Sequence, residues 1–295
     1  MGKTFCGLGT ALITPFKKGG EIDYTCMERL MEFQIKSGVD YLVIAGSTGE
    51  AATLMDDEHF ALLKFAKEKS NGRIPIVAGV GSNNTKALVQ KIQKLNSLGL
   101  SGYLVVSPYY NKPTQEGLFG HYSEVAVAAG NIPVLLYNIP GRTAVSIAPE
   151  TVVRLVEKHK NIIGIKESSG NIDADLDMYK KVHEKKPDFY FISGDDSYTL
   201  SLMAAGYCGA IAVIANEVPV QMKQLIDAAN AGDFAKAKKI HYDLLDLMRA
   251  NFVETNPGPV KYAMKKMGYC DGSVRLPLSE LKGSEKLDAA LKRFL

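Results

Sequence analysis

Short, unbroken apolar runs alternate along this chain with longer amphipathic stretches, and that alternation constrains the fold more than any other feature. The runs fall at 9–13, 41–45, 74–78, 103–107, 134–137, 162–165, 189–192 and 209–213. Continuous rather than alternating apolar character is expected of strands buried on both faces, as in a parallel sheet. Between the runs lie helical patterns. In 24–37, Leu30, Met31 and Phe33 form a core stripe and Gly38 supplies a stop. The stretches 56–70 and 84–98 end likewise, just before Asn71-Gly72 and Gly99. Eight βα units in succession predict a (β/α)8 TIM barrel, an architecture of ~250 residues. A doubly wound open sheet is the competitor, and it usually carries a glycine-rich phosphate turn after its first strand. Here Gly7-Leu8-Gly9 precedes the first run and Gly79-Val80-Gly81 lacks a third glycine, so both read as turns. Beyond about residue 217 the runs stop. Stretches 220–230, 234–251, 257–267 and 284–294 read as helices, with Asn256-Pro257-Gly258-Pro259 placing proline where a helix starts. The expected organisation is a barrel over 1–231 and a C-terminal helical region over 232–295.

Composition removes several function classes. With 46% hydrophobic and 23% charged residues the chain has the profile of a soluble globular protein. A net charge of +3, with its Lys-Lys pairs scattered, gives no nucleic-acid signal. No apolar run approaches the roughly 18 residues of a membrane span. The start, Met1-Gly2-Lys3-Thr4-Phe5, has no signal-peptide core, and the four cysteines are far apart without a C-x-x-C pair. A cytoplasmic protein with reduced thiols is expected. The five histidines show no metal-binding spacing, so neither a structural metal nor a metal hydrolase is expected.

The sixth apolar run, Ile162-Ile163-Gly164-Ile165, ends in Lys166-Glu167. Most other lysines sit in helix-like stretches beside acidic or polar residues, where the ammonium head stays in water. A lysine drawn into an apolar interior loses hydration, which favours the neutral amine, and a neutral amine can form a Schiff base with a ketone. The plain alternative is a strand-end lysine that reaches solvent or pairs with Glu167. Barrel active sites form where strands end, and the residues past the other runs are rich in chemistry: Gly46-Ser47-Thr48-Gly49-Glu50, Pro108-Tyr109-Tyr110-Asn111, Tyr137-Asn138-Ile139-Pro140-Gly141-Arg142-Thr143 and Ser193-Gly194-Asp195-Asp196. Each has an ordinary reading as well: a tight turn with hydroxyl caps, an aromatic plug, a surface ion pair, a helix cap. Converging on one mouth, they supply an amine nucleophile, a phenol, hydroxyls and a guanidinium, a set suited to carbonyl chemistry.

The turn Gly46-Ser47-Thr48-Gly49-Glu50, the tyrosine closing Val134-Leu135-Leu136-Tyr137, and Gly164-Ile165-Lys166-Glu167 resemble, in order and spacing, the pyruvate-dependent class I lyases of the N-acetylneuraminate lyase type. Within that group the chain is similar to the 4-hydroxy-tetrahydrodipicolinate (dihydrodipicolinate) synthases. That similarity rests on Tyr-Tyr-Asn-Lys-Pro-Thr-Gln-Glu-Gly at 109–117, Tyr-Asn-Ile-Pro-Gly-Arg-Thr at 137–143 and Phe-Val-Glu-Thr-Asn-Pro-Gly-Pro-Val-Lys at 252–261, and it spans nearly the whole chain. Ser47 departs from the usual threonine but keeps the hydroxyl.

The resemblance implies a set of roles. Lys166 forms the Schiff base with pyruvate. Tyr137 handles protons, and Thr48 links it to Tyr110, which reaches in from a neighbouring subunit. Ser47 and Thr48 hold the pyruvate carboxylate, Arg142 binds the carboxylate of L-aspartate 4-semialdehyde, and Gly194 and Ile211 line the lysine pocket. No metal or organic cofactor is implied. A homotetramer built as a dimer of dimers is, and so is the committed step of diaminopimelate and lysine biosynthesis. Other pyruvate lyases, acting on N-acetylneuraminate or on 2-keto-3-deoxy sugar acids, are the nearest alternatives, and Arg142 argues against them. A non-catalytic ligand-binding barrel is the other class, opposed by the joint presence of Lys166, Tyr137, Tyr110 and Thr48. Lysine-inhibited members bind lysine at the tight-dimer interface. This chain keeps Ala52, His59, Asn83 and Tyr109 at matching positions. It has Asp56 where a His is frequent, Ala51 for a Ser, and Ala87, preceded by Lys86, for a Glu. Weak or absent lysine inhibition is therefore expected.

Overall fold

The computed structural model describes residues 4–295. Met1, Gly2 and Lys3, which entered the reading of the N-terminus, lie outside the described residues. Eight strands alternate with helices: β1 Gly7–Ala11, α1 Tyr24–Lys36, β2 Tyr41–Ile44, α2 Asp56–Ser70, β3 Ile76–Val80, α3 Thr85–Leu95, β4 Gly102–Val106, α4 Gln115–Ala129, β5 Val134–Asn138, the short α5 Pro140–Thr143, α6 Pro149–Lys158, β6 Ile162–Glu167, α7 Ile172–Lys185, β7 Tyr190–Ser193, α8 Thr199–Ala204 and β8 Gly209–Ala212. Four further helices follow, α9 Pro219–Asn230, α10 Phe234–Ala250, α11 Gly258–Lys266 and α12 Glu285–Leu291. Every strand pairs in parallel with its sequence neighbours, and β8 pairs with β1, so the sheet closes into the expected (β/α)8 barrel.

Two sequence readings need correction. Gly7-Leu8-Gly9 and the Gly79-Val80 part of Gly79-Val80-Gly81 are strand, not turn. Their glycines serve close approach. A Cβ on Gly9 would sit 2.2 Å from the Tyr41 ring, and one on Gly79 would sit 2.4 Å from the Ala45 carbonyl oxygen. β1 and β3 are thus displaced toward these glycines relative to the apolar runs.

The strands are apolar on both faces because they separate two cores. Leu42, Ile44, Tyr103, Val105, Leu136 and Phe191 point out toward the helices, while Tyr41, Val43, Leu104, Leu135, Ile192 and Ile211 fill the barrel. β6 departs from strict alternation. Val134 of β5 faces Ile162 but the next residue, Leu135, faces Gly164, so Ile163 is an extra residue in β6. Such a bulge re-aims the side chains beyond it. Ile163 packs with the interior set, Ile165 with the outer one, and Lys166 then faces inward while Glu167 faces the helices.

α10 packs on α9 and α8, and α12 lies on α10 and α11. The loop between α10 and α11 crosses the barrel mouth and carries Asn256 into it.

Candidate active site

Lys166 is 5% exposed and Tyr137 6%. They are register partners on β6 and β5, so their side chains leave the sheet side by side. The Lys166 Nζ lies 4.3 Å from the centroid of the Tyr137 ring, an approach that favours a cation on a ring face. Lys166 makes no ion pair among the described residues, including with Glu167. Above it is a pocket of about 50 Å³ whose wall includes Ser47, Thr48, Tyr137, Arg142, Gly194, Ile211 and Asn256. One water needs roughly 10–15 Å³, so the pocket suits a molecule of a few heavy atoms. Gly194 is glycine for a steric reason: a Cβ there would fall 2.7 Å from Lys166 Cε and 2.0 Å from Ser168 Oγ. Ile211 closes the floor from β8, fully buried.

The turn 46–50 leaves the end of β2. Its flanks, Ala45 at φ 56° and Glu50 at φ 54°, occupy the left-handed region that few non-glycine residues adopt. It is pinned from several sides: Thr14 Oγ1 donates to the Gly49 carbonyl at 2.7 Å, and Glu50 N–H donates to the Ser47 carbonyl at 3.1 Å. Thr48 Oγ1 accepts from Asn256 Nδ2 at 3.0 Å.

A larger cavity of about 560 Å³ shares Gly46, Ser47, Tyr137, Arg142 and Asn256 with the inner pocket and extends past Tyr109 to Asp56, His59, Ala87 and Lys91. Arg142, in α5, donates through Nη2 to the Asn256 carbonyl at 3.3 Å and makes no ion pair among the described residues, which leaves most of its fork unused. Tyr110 lines neither cavity. It is 87% exposed, with φ +74°.

The Asp195-Asp196 pair resolves into two structural roles. Asp195 caps the 3-10 turn Asp196–Tyr198, accepting from the Ser197 N–H and hydroxyl, which is the helix-cap reading. Asp196 accepts from the Val213 and Ile214 N–H groups and ties the exit of β7 to that of β8, while burial lifts its carboxyl to about 6. On the outer face of β6, burial pushes Glu167 up to about 8, with the negative charge of Asp175 adding to it; Asn138 Nδ2 donates to both of its oxygens. His59, in the outer cavity, is held down to about 4 by burial, with Nε2 2.9 Å from the Gly79 carbonyl.

The barrel therefore gathers Lys166, Tyr137, Ser47, Thr48, Arg142, Gly194 and Ile211 in one mouth and leaves Tyr110 outside it. Sequence reading missed Asn256, which touches both Thr48 and Arg142. It also missed the ion pair of Lys261 with Glu50, sealed beneath the turn. Both residues fall in motifs quoted for the resemblance, the one signal that could have found them. Among the described residues no His, Cys, Asp or Glu cluster could hold a metal ion.

The profile of the Dihydrodipicolinate synthetase family matches residues 4–293. A 4-hydroxy-tetrahydrodipicolinate synthase of Hydrogenobaculum sp. (strain Y04AAS1) is 43% identical over 287 residues, covering 97% of each chain. The crystal structure of dihydrodipicolinate synthase from Aquifex aeolicus superposes with a TM-score of 0.92 at 43% identity, over 98% of this chain and 96% of that one. A monomeric dihydrodipicolinate synthase variant superposes with a TM-score of 0.94 at 40% identity, over 99% and 96%. With its eight-stranded barrel, inward lysine and near full-length match, the chain belongs to the dihydrodipicolinate synthetase family.

Proposed function

We propose that this protein condenses pyruvate with L-aspartate 4-semialdehyde to give 4-hydroxy-tetrahydrodipicolinate, a lyase of class I aldolase type acting in diaminopimelate and lysine biosynthesis. The observation that carries the reading is Lys166, buried in the barrel, without a carboxylate partner among the described residues, facing a pocket sized for a small keto acid. Its amine adds to the pyruvate ketone, and loss of water leaves an imine. A methyl proton then leaves through Tyr137, and the cationic imine takes up the electron pair to form an enamine. The enamine carbon bonds to the aldehyde carbon of the second substrate, whose oxygen is protonated. The substrate's own amine displaces Lys166 by transimination, which closes the ring and frees the enzyme. Arg142, with its fork largely free at the joint between the two cavities, takes the semialdehyde carboxylate.

The hydroxyls of the turn divide in this reading. Thr48 and Ser47 hold the pyruvate carboxylate, and Thr48 links Tyr137 to the Tyr110 of a neighbouring subunit. One observation favours Ser47 for the relay instead: it borders both cavities, whereas Thr48 borders only the inner one and is engaged by Asn256. Ser47→Ala and Thr48→Val separate the two, because the relay residue is the one whose loss slows proton exchange at the pyruvate methyl.

Exposure of Tyr110 supports a shared site in a dimer or in a tetramer of paired dimers. Mixing Tyr110→Phe with Lys166→Ala subunits then recovers activity, and hybrids that form without any recovery refute sharing. We also assign the chemistry to the barrel, 1–231, with 232–295 as its helical extension, and place the enzyme in the cytoplasm. No described helix is long and apolar enough to cross a membrane.

Borohydride reduction with pyruvate, followed by peptide mapping, tests the whole reading. One reduced pyruvate adduct is expected on the Lys166 peptide. A label elsewhere, or none, overturns it.

A further inference from the structure

The C-terminal segment grips the 46–50 turn at two points, and the reaction as written gives neither contact a role. At one point Asn256 Nδ2 meets Thr48 Oγ1 at 3.0 Å. An amide N–H can only donate, so the hydroxyl oxygen accepts, and the Thr48 hydrogen is left to point at a ligand. A carboxylate, which only accepts, is the group such a hydrogen suits. At the other point Lys261 pairs with Glu50, their side chains 1% and 0% exposed. Lys261 also donates to the Ser273 carbonyl at 2.8 Å and lies 4.2 Å from the centre of the Phe16 ring. The Arg275 N–H donates to Glu50 Oε2 at 3.0 Å.

This pair is an unusual way to hold a turn. Two charges brought out of water gain little net stability over apolar residues of the same shape. What the pair supplies is a fixed direction. Glu50 stands at φ 54°, ψ 37°, a backbone state that persists only where the surroundings over-determine it. Lys261, the Arg275 N–H and the Thr53 hydroxyl on the Glu50 carbonyl do so here. Ser47 and Thr48, three and two residues before Glu50, border the inner pocket and carry its hydroxyls.

We propose that Asn256 and Lys261 are positioning residues for the keto-acid carboxylate: Asn256 sets the direction of the Thr48 hydroxyl, and Lys261, through Glu50, holds the turn in the arrangement that aligns its donors on that carboxylate. The proposal rests on the pyruvate reading of the pocket. It separates the two substrates. Arg142 leans on the backbone carbonyl of Asn256, which no side-chain change removes, so the semialdehyde side is spared.

The test measures half-saturation by pyruvate in borohydride trapping at Lys166, together with KM for each substrate, in Asn256→Ala and in the double variant Glu50→Gln/Lys261→Met, which leaves no lone buried charge. Leu287→Ala, a core truncation in α12, serves as the stability control. Both site variants should raise pyruvate half-saturation about ten-fold, the loss of one hydrogen bond to a charged group. KM for the semialdehyde should stay within about two-fold of wild type by the same argument from Arg142. Leu287→Ala should melt earlier and bind pyruvate as wild type does. Site variants that melt earlier yet trap pyruvate at wild-type half-saturation overturn the proposal and leave a purely structural clamp. If the double variant does not fold, Asn256→Ala decides alone. A wild-type enzyme that traps no pyruvate overturns the proposed function instead.

Discussion

Lys166 and Lys261 are both cut off from solvent, at 5% and 0% exposure, yet their surroundings are opposite. Lys261 is matched on its charge by Glu50 and on its hydrogens by the Ser273 carbonyl; burial draws its ammonium below the ordinary range and Glu50 pulls it back. Lys166 has the face of Tyr137, a pocket and, among the described residues, no ion-pair partner. Burial is common to the two, so burial does not make a nucleophile. What separates them is whether the protein has already satisfied the group. A satisfied charge holds structure, and an unsatisfied one beside a cavity is available to a ligand.

Substituting the two lysines should split activity from stability, the largest effect expected. Lys166→Met removes the nucleophile and should lower turnover at least ~10³-fold, as loss of a covalent nucleophile does, and abolish the pyruvate adduct. It should melt no earlier than wild type, because a buried polar head without an ion-pair partner among the described residues becomes apolar. Lys261→Met strands the Glu50 carboxylate in the interior and should lose about 3–5 kcal/mol in denaturant titration, while still forming the adduct at saturating pyruvate. Finding Lys166→Met to be the less stable of the two would break the comparison.

The contrast also marks what was legible in the sequence. Lys166 stands out because an apolar run delivers it, and the eight runs carry the barrel with it. Lys261 looks like any lysine of an amphipathic helix, and its partner lies at the other end of the chain. Only packing of the C-terminal helices against the barrel brings Glu50 and Lys261 together, and no local pattern encodes that. The bulge at Ile163, which turns Lys166 inward, is equally silent, since a run apolar on both sides reads the same in either phase. Gly9 of β1 and Gly79 of β3 misled for a related reason: they make room for a neighbouring side chain and a neighbouring carbonyl, not for a special backbone state of their own.

Arg142 sharpens the comparison as a second group left unsatisfied, holding one carbonyl and, among the described residues, no carboxylate. Arg142→Ala should reduce kcat/KM for the semialdehyde ~10²-fold, two charge-assisted hydrogen bonds' worth. Pyruvate trapping should stay at the wild-type level. Unchanged semialdehyde kinetics would remove Arg142 from the site and reopen the sugar-acid lyases.

Glu167 is the acidic counterpart, one residue from Lys166 but on the other face of β6, buried with the Asn138 amide and the Ser168 N–H donating to it. Its pKa is raised from 4.5 to about 8, first by burial and then by Asp175. Between those values the folded protein keeps a proton that the unfolded chain has released. Folding then takes up a proton, and stability falls as pH rises, by up to about 1.4 kcal/mol per pH unit. Glu167→Gln removes that titration and keeps an oxygen for Asn138. Denaturant midpoints at pH 5.5 and 7.5 should therefore differ less in the variant than in wild type. Equal differences would mean that Glu167 is ionised throughout, satisfied by contacts that its neighbours do not reveal.

The smallest effect is expected where the charges are already matched. The outer cavity carries Ala51, Ala52, Asp56, His59, Ala87 and Tyr109 on its wall, the positions at which lysine-inhibited relatives would bind their effector. Ala87 offers no carboxylate. Asp56 could have replaced it, but Lys91 pairs with it at 2.7 Å, and that contact lowers the Asp56 carboxyl below its ordinary value. Lys91 and Arg142 are the cations on this wall, and Lys86 is not on it. Lysine entering here meets a positive charge and a carboxylate already in use. The missing charge-assisted hydrogen bond is worth about 1.5–3 kcal/mol, or roughly ten- to hundred-fold in affinity. Initial rates with both substrates should therefore hardly change across a lysine titration to millimolar levels. Lys91→Ala frees Asp56 and should make the enzyme more sensitive than wild type. Strong inhibition of the wild-type enzyme well below a millimolar would mean that a matched pair opens at little cost. The rule drawn from Lys261 would then fail for pairs as exposed as this one.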